Sequence, residues 1–337
     1  MQHNLYLSGM SLKAAIHYRK LFPDAELNAL LSYGTRSSDY FQMINSEHNI
    51  FNSIIADSGA FTKYFSKSAS SDKISLPGYI EFLKQTYQQF DYCMNYDREF
   101  LMNGFDTNTP MMELIESNGF QVVPVLHDYI GEERHELDYY IDKKYPIIAL
   151  GFSEHKKKNK IKNIKVVVKK ALAAGMKIHL LGLTSLKVFN EIPAHYSDSS
   201  SWSQYTKYGL TLWLKKEQDK ITEEKFSYKD SLKGQSKNHE KYLIDTHPLK
   251  DEFLKYVKDE LDITSNNLFG QERSHYRDLV NIHYFVNMQN EVRLLHQNVI
   301  TRPEWAPYFS TNTNIAEITK GDFDKNFLND VKTLLDL

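Results

Sequence analysis

Two aspartates carry the chemistry this sequence could do. Asp57 follows the apolar run Ile54-Ile55-Ala56 and opens Asp57-Ser58-Gly59-Ala60-Phe61, while Asp198 follows Ala194–Tyr196 and runs into Ser199-Ser200-Ser201-Trp202. An aspartate at a strand–loop junction is either a turn or helix-cap residue or a functional group at the mouth of a sheet. Two converging carboxylates can divide the work of a glycosidic reaction. One attacks the anomeric carbon and forms a covalent sugar ester, and the other manages the proton of the departing group. Three more strand ends carry polar groups: Tyr92–Asn95 runs into Tyr96-Asp97, Val122–Leu126 into His127-Asp128, and Ile147–Leu150 into Gly151. Each has a bland reading beside the functional one. His127 alone reads as a satisfied structural histidine, Cys93 as core packing, and Gly59 and Gly151 as tight turns or as places where a ligand meets backbone.

The elements that must position these groups are short apolar runs alternating with helix-like segments. The expected strands are Leu5–Leu7, Ala29–Ser32, Ile54–Ala56, Tyr92–Asn95, Gln121–Leu126, Ile147–Leu150, Lys177–Leu181 and Ala194–Tyr196. Amphipathic stretches at Leu76–Phe90, Pro110–Asn118, Glu132–Lys143 and Ile161–Ala174 lie between them, the last stopped by Gly175. Apolar strands separated by helices pair in parallel through right-handed crossovers. About eight such units predict an α/β fold, a closed (β/α)8 TIM barrel over residues 1–337 as a single domain; an open doubly wound sheet is the rival, without an early G-x-G-x-x-G to support it. Residues 214–250 are rich in Lys, Glu, Ser and Asn with little periodicity, so 214–270 reads as a surface excursion within a helical, Lys-rich C-terminal elaboration. Helical patterning returns at Pro248–Leu261 and at His275–Leu295, where Leu279, Ile282, His283, Val286, Val292 and Leu295 form an inward stripe.

Bulk properties narrow the class. The 337 residues carry a formal net charge of −2, so no global field attracts a polyanion and nucleic-acid binding would need a local basic strip. The lysines at Lys156, Lys157 and Lys158 offer one, or are solvated surface. Twenty-two Tyr and 19 Phe suit a filled core or a site that stacks flat rings. A single cysteine, Cys93, rules out an intrachain disulfide and argues against a cysteine-based zinc site. No secretion signal or apolar run of ~18 residues is present, which predicts a cytoplasmic protein without a membrane span.

The order of these pieces resembles the tRNA-guanine transglycosylase superfamily, barrel enzymes that exchange guanine in a polynucleotide for a 7-deazaguanine. D-S-G-A-F at Asp57–Phe61 is similar to the family's D-S-G-G-F. C-M-N-Y-D at Cys93–Asp97 resembles the segment whose aspartate reads the base, P-V-L-H at Pro124–His127 the strand ending in a base-contacting glutamine, and I-A-L-G at Ile148–Gly151 a base-contacting loop. H-L-L-G at His179–Gly182 and H-Y-S-D at His195–Asp198 resemble the strands leading to and carrying the nucleophile, and L-V-N-I-H-Y-F at Leu279–Phe285 the last barrel helix. The chain departs from the family in three ways. The zinc-binding cysteines are absent although His283 stands where the zinc histidine would be, so no zinc subdomain, metal or other cofactor is expected. His127 replaces glutamine. Asp198 is followed by Ser-Ser-Ser-Trp, which is more like the DNA-modifying branch, whose members place 7-deazaguanine derivatives into bacterial or phage DNA.

The resemblance implies that Asp198 attacks C1′ of a deoxyguanosine while Asp57 serves as general acid, then base. Asp97 would accept hydrogen bonds from the base, with Ser58, Gly59, His127, Gly151 and Gly182 completing the pocket. Phe61 is a stacking wall or core, and Trp202 stacks on a nucleoside or packs under its loop. The partners implied are DNA, with tRNA as the alternative, and a base such as 7-cyano-7-deazaguanine; a homodimer or partner protein is also compatible. A phage member would act in the host cytoplasm, and the target base must leave its helix to be reached. An inactive nucleic-acid-binding partner subunit is a further alternative.

Overall fold

The computed structural model describes residues 1–35, 50–60, 63, 74–99, 104–127, 135–151, 160–217, 220–231 and 241–309. Eight parallel strands carry the fold: β1 (Asn4–Ser8), β2 (Asn28–Ser32), β3 (Ser53–Asp57), β4 (Tyr92–Cys93), β5 (Val125–Leu126), β6 (Ile147–Leu150), β7 (Lys177–Leu180) and β8 (Tyr196–Ser199). Their order is β4-β3-β2-β1-β8-β7-β6-β5. The two ends of that series meet at the parallel bridge Met94↔Val123, where Val123 N–H donates to Cys93 O at 2.7 Å and Asn95 N–H to Val123 O at 2.9 Å. The sheet therefore closes on itself as a TIM-type barrel, as expected from eight strand–helix units.

The helices between strands are α1 (Leu12–Leu21), α2 (Leu76–Thr86), α3 (Gly104–Ser117), α4 (His135–Asp142), α5 (Lys160–Ala173), α6 (Leu186–Phe189) and α7 (Ser201–Lys207). Local chemistry starts and stops them. Ser11 caps α1 by accepting from Ala14 N–H, and Ser75 caps α2 by accepting from Gly78 N–H. After α5 the chain turns at Gly175 with φ +77°, a conformation that suits glycine.

Two apolar clusters share the strands because successive side chains point to opposite faces. Inside the barrel lie Tyr6, Leu30, Ile55, Tyr92, Met94, Val123, Val125 and Ala149, with Leu181 and Tyr196 packed against them. Outside, strand residues such as Leu7, Leu31, Ala56, Leu150 and Ile178 meet helix residues such as Tyr79, Leu83, Ile164 and Val168. Being buried on both faces, the strands read as continuous apolar runs rather than alternating ones.

Several boundaries differ from the sequence expectation. The run Gln121–Leu126 is regular only at Val125–Leu126. Pro124 has no N–H for the ladder, although its carbonyl still accepts from Ala149 N–H at 2.9 Å. Helix α3 starts at Gly104 and keeps Pro110 inside it, six residues before the expected start. The eighth strand begins at Tyr196 rather than Ala194 and continues through Asp198 to Ser199.

The C-terminal elaboration is more ordered than its composition suggests. An antiparallel hairpin, β9 (Leu210–Glu217) and β10 (Lys220–Ser227), precedes α8 (Lys250–Leu261), α9 (Ser265–Phe269) and the long α10 (Arg273–Val299). The part from 214 onward, read from sequence as surface, is thus only partly so. Leu210–Lys215 is buried throughout, because both faces of β9 are covered, and period-2 patterning is lost for that reason. Phe226, Phe253 and Val257 are fully buried, with Phe226 stacked on Phe253 at 3.9 Å between ring centroids. From the expected stripe on α10, Leu279, Ile282, His283, Val286 and Val292 are buried. That helix docks against the barrel through Gln289, whose Oε1 accepts from Leu5 N–H at 2.7 Å and Asn28 Nδ2 at 2.9 Å. No helix among the described residues is long and apolar enough to cross a membrane.

Candidate functional site

Side-chain alternation decides what the barrel's carboxyl-end mouth contains. In each strand the inward positions recur every second residue. Ile55 points inward, so Asp57 does. Tyr196 points inward, so Asp198 does, and its cross-strand partner is the inward Tyr6. By the same step Leu30 leads to Ser32, Val125 to His127, and Ala149 to Gly151. Groups more than 140 residues apart in the chain are thereby gathered at one end of one barrel.

Asp57 is the last residue of β3 and is half-buried. Its Oδ2 accepts from Ser32 Oγ and from Gly59 N–H, each at 2.9 Å. Burial pushes its carboxyl above the ordinary value of 3.8. Those two hydrogen bonds oppose the rise, and the negative charges of Asp198 and Asp97 reinforce it. Gly59 holds φ +71°, and a Cβ there would lie 2.5 Å from both Cα and N of Gly34. Only glycine at both places allows the two loops to touch and the Gly59 N–H to reach Asp57.

Asp198 lies within β8 rather than after it, and 9% of its surface is exposed. Its Oδ1 accepts twice, from His179 Nε2 at 3.0 Å and from Gly182 N–H at 2.9 Å. Behind it, Tyr92 OH lies 2.8 Å from His179 Nδ1.

Asp97 follows β4. Its Oδ1 accepts from Asn95 Nδ2 at 2.7 Å, and its Oδ2 lies 2.8 Å from His127 Nε2. A carboxylate offers about four lone-pair sites, so among the described residues each oxygen keeps one acceptor position beyond these partners. Asn108 builds the loop that holds Asp97: its Oδ1 accepts from Arg98 N–H and Glu99 N–H at 2.8 and 3.0 Å. Beside this group, the buried Asn95 Oδ1 has no hydrogen-bond partner among the described residues. Gly151 presses on the His127 ring so closely that a Cβ would stand 2.6 Å from Nδ1 and 3.0 Å from Cε1.

Other expected site residues have different placements. Ser58 is buried, its Oγ accepting from Ala60 N–H at 3.4 Å in the turn that follows Asp57. Gly182 uses its N–H on Asp198, so it supports the carboxylate. Trp202 is 2% exposed and donates from Nε1 to Ser8 O at 2.8 Å. It packs under its loop, the second of its two possible roles, and does not present a stacking face. Phe61, Lys156, Lys157 and Lys158 lie outside the described residues.

His283 is bonded to Tyr18 OH at 3.0 Å and stacked on Phe22 at 4.7 Å. These neighbours are not metal ligands, and among the described residues no group of three His, Cys, Asp or Glu is placed to hold a metal ion.

Sequence reasoning missed Ser32, Tyr92, Asn95 and Asn108 as parts of the site, and it gave His179 no role beyond its motif. A signal existed for two of them. Tyr92 and His179 are polar residues set in apolar strand runs, where a buried hydroxyl or imidazole needs a partner. For Asn108, which lies ahead of the helical stretch expected from Pro110, no such signal exists. Compared with known proteins, the chain matches no family model and no curated sequence.

Proposed function

We propose that the chain is a base-exchanging transglycosylase that replaces guanine in DNA with a 7-deazaguanine through a covalent aspartyl–sugar intermediate. The observation that carries this reading is the meeting of Asp57, Asp97 and Asp198 at one barrel mouth, with the Asp57 carboxyl raised by burial and by the charge of the other two. Two carboxyl groups in unlike environments are what a division into acid and nucleophile requires. The ordered resemblance to the transglycosylase superfamily adds the substrate class.

In the first half-reaction, an oxygen of Asp198 bonds to C1′ as the bond from C1′ to the base nitrogen breaks. The bonding pair leaves with guanine, and the Asp57 proton neutralises it. In the second, the incoming base gives its ring proton to Asp57 and attacks C1′, returning the pair to the Asp198 carboxylate. The two acceptor positions left on Asp97 suit the adjacent ring N–H and amino donors of a 2-amino-6-oxopurine edge. His127 and Gly151 flank that edge.

The test is incubation of the full-length protein with duplex DNA, single-stranded DNA or tRNA and a 7-deazaguanine base, followed by mass spectrometry of the nucleosides. Replacement of deoxyguanosine supports the reading, and replacement confined to tRNA transfers the same chemistry to RNA. Abasic sites without exchange would make the enzyme a hydrolase. Full exchange by Asp198→Ala would remove Asp198 as nucleophile.

A further inference from the structure

Tyr92 and His179 project into the barrel from β4 and β7, on opposite sides of its interior. His179 is fully buried inside the barrel. Its ring lies nearly parallel to Tyr6, with centroids 6.1 Å apart and 21° between planes, and is tilted 32° to Tyr196. Tyr6 is itself held, its OH 2.8 Å from Ser53 Oγ. Both ring nitrogens of His179 are engaged, Nδ1 by Tyr92 OH at 2.8 Å and Nε2 by Asp198 Oδ1 at 3.0 Å. The imidazole thus has one orientation in the barrel and one neighbour to act on.

We infer that His179, oriented by Tyr92, is a positioning residue for Asp198 that selects Oδ2 as the atom bonding to the sugar. The geometry separates the two carboxylate oxygens. Both donors, His179 Nε2 and Gly182 N–H, fall on Oδ1, and among the described residues no donor reaches Oδ2. A carboxylate clamped through one oxygen cannot rotate freely about its terminal bond, so the lone pairs of the other keep a fixed direction.

The proton positions follow from the partners. A carboxylate only accepts, so Nε2 carries the hydrogen; in the neutral ring Nδ1 is then the acceptor and Tyr92 OH the donor. Burial pushes the Tyr92 phenol well above its ordinary value, which keeps that hydroxyl protonated. When the sugar ester breaks, the same donors receive Oδ1 as the carboxylate reforms.

This inference deepens the transglycosylase reading and rests on it for the identity of the bond formed. Three variants of the full chain test it: Tyr92→Phe, His179→Gln and His179→Leu. Base exchange gives kcat and KM, and nitrogen NMR of the His179 ring gives its tautomer. Misplacing a reacting group by about 1 Å costs on the order of a hundredfold in rate. His179→Leu is therefore expected to lose about a hundredfold in kcat, with KM for the base unchanged within about twofold. Tyr92→Phe should lose about tenfold and show a mixed tautomer. His179→Gln, whose amide nitrogen can replace Nε2 as donor, should recover at least about tenfold over the leucine variant.

A purely structural role for His179 would not give the glutamine rescue or the split between kcat and KM. Wild-type kcat in all three folded variants would overturn the inference. If His179→Leu fails to fold, Tyr92→Phe, which only deletes a hydroxyl, decides it. If the wild-type protein exchanges no base, the transglycosylase reading fails separately. The clamp is then judged by the tautomer alone: a single Nε2–H form that becomes mixed in Tyr92→Phe upholds it, and an Nδ1–H form overturns it.

Discussion

Replacing Gly151 with alanine adds one methyl group at the barrel mouth, against the His127 ring. The new Cβ would stand 2.6 Å from His127 Nδ1 and 3.0 Å from Cε1, and it must reach at least an ordinary contact of 3.4 Å. The imidazole cannot yield without leaving Asp97, because its Nε2 is 2.8 Å from Asp97 Oδ2. Two costs follow. Overpacking a filled site destabilises a fold by about 1–3 kcal/mol. Loss of a hydrogen bond to a charged group costs about 1.5–3 kcal/mol. If the second cost falls on the base pocket, affinity for the incoming base drops by roughly ten- to a hundredfold, at about 1.4 kcal/mol per factor of ten.

Asp57 and Asp198 stand on β3 and β8, away from Gly151 just past β6, so kcat at saturating base should change little. The assay is titration of the base against exchange rate for wild type and Gly151→Ala, with urea unfolding to separate the stability cost. Unchanged KM for the base together with an undisturbed His127–Asp97 pair would refute the reasoning that Gly151 sets the position of the base-reading pair.

Asp57→Asn should lose at least about a hundredfold in exchange, the usual cost of removing a general acid, yet be more stable than wild type near neutral pH. The sign follows from its raised pKa: the contribution of the protonated carboxyl is full below 3.8 and declines as pH rises through the raised value, a loss that an asparagine, which does not ionise, escapes. A lower urea midpoint for the asparagine variant at pH 7.5 would contradict this. Burial pushes His195 and His283 down to about 4 and His296 to about 3. The unfolded chain takes up these protons below its ordinary 6.5 while the folded chain resists, so stability is full above that pH and is lost toward pH 4. Each histidine costs about 1.4 kcal/mol at pH 5.5, and the three together about 4 kcal/mol; denaturant midpoints at pH 7.5 and 5.5 measure it, and equal midpoints would show that the rings are charged in the fold. Trp202→Phe should lose about 1 kcal/mol with the hydrogen bond to Ser8 O, leaving KM for nucleic acid within about twofold. A tenfold rise would mean that the ring touches the polymer.

Much of the fold was legible in the chain because its causes are local. Apolar runs such as Ile147–Leu150 and Lys177–Leu181, spaced by helical stretches with Ser and Gly at their ends, can be buried only as a parallel sheet under helices, and that follows from period and capping alone. The same locality exposed Asp57, His127 and Gly151, since each sits one step past an inward apolar residue. Misread elements had non-local causes. The strand segment Leu210–Lys215 carries no alternation because both its faces are covered by distant parts of the chain, and the choice between the two readings of Trp202 depends on Ser8, 194 residues away, whose carbonyl accepts its indole hydrogen. The partners that give the carboxylates their character come from other strands and loops: Ser32 and Gly34 around Asp57, Tyr92 and His179 behind Asp198, Asn95 and Asn108 around Asp97. Residue types and their order along the chain determined that carboxyl groups would ring one end of a barrel. Which oxygen of each is held, and what sits behind it, was decided by closure of the barrel, because hydrogen bonds of about 3 Å between residues far apart in the chain exist only once the strands carrying them are docked.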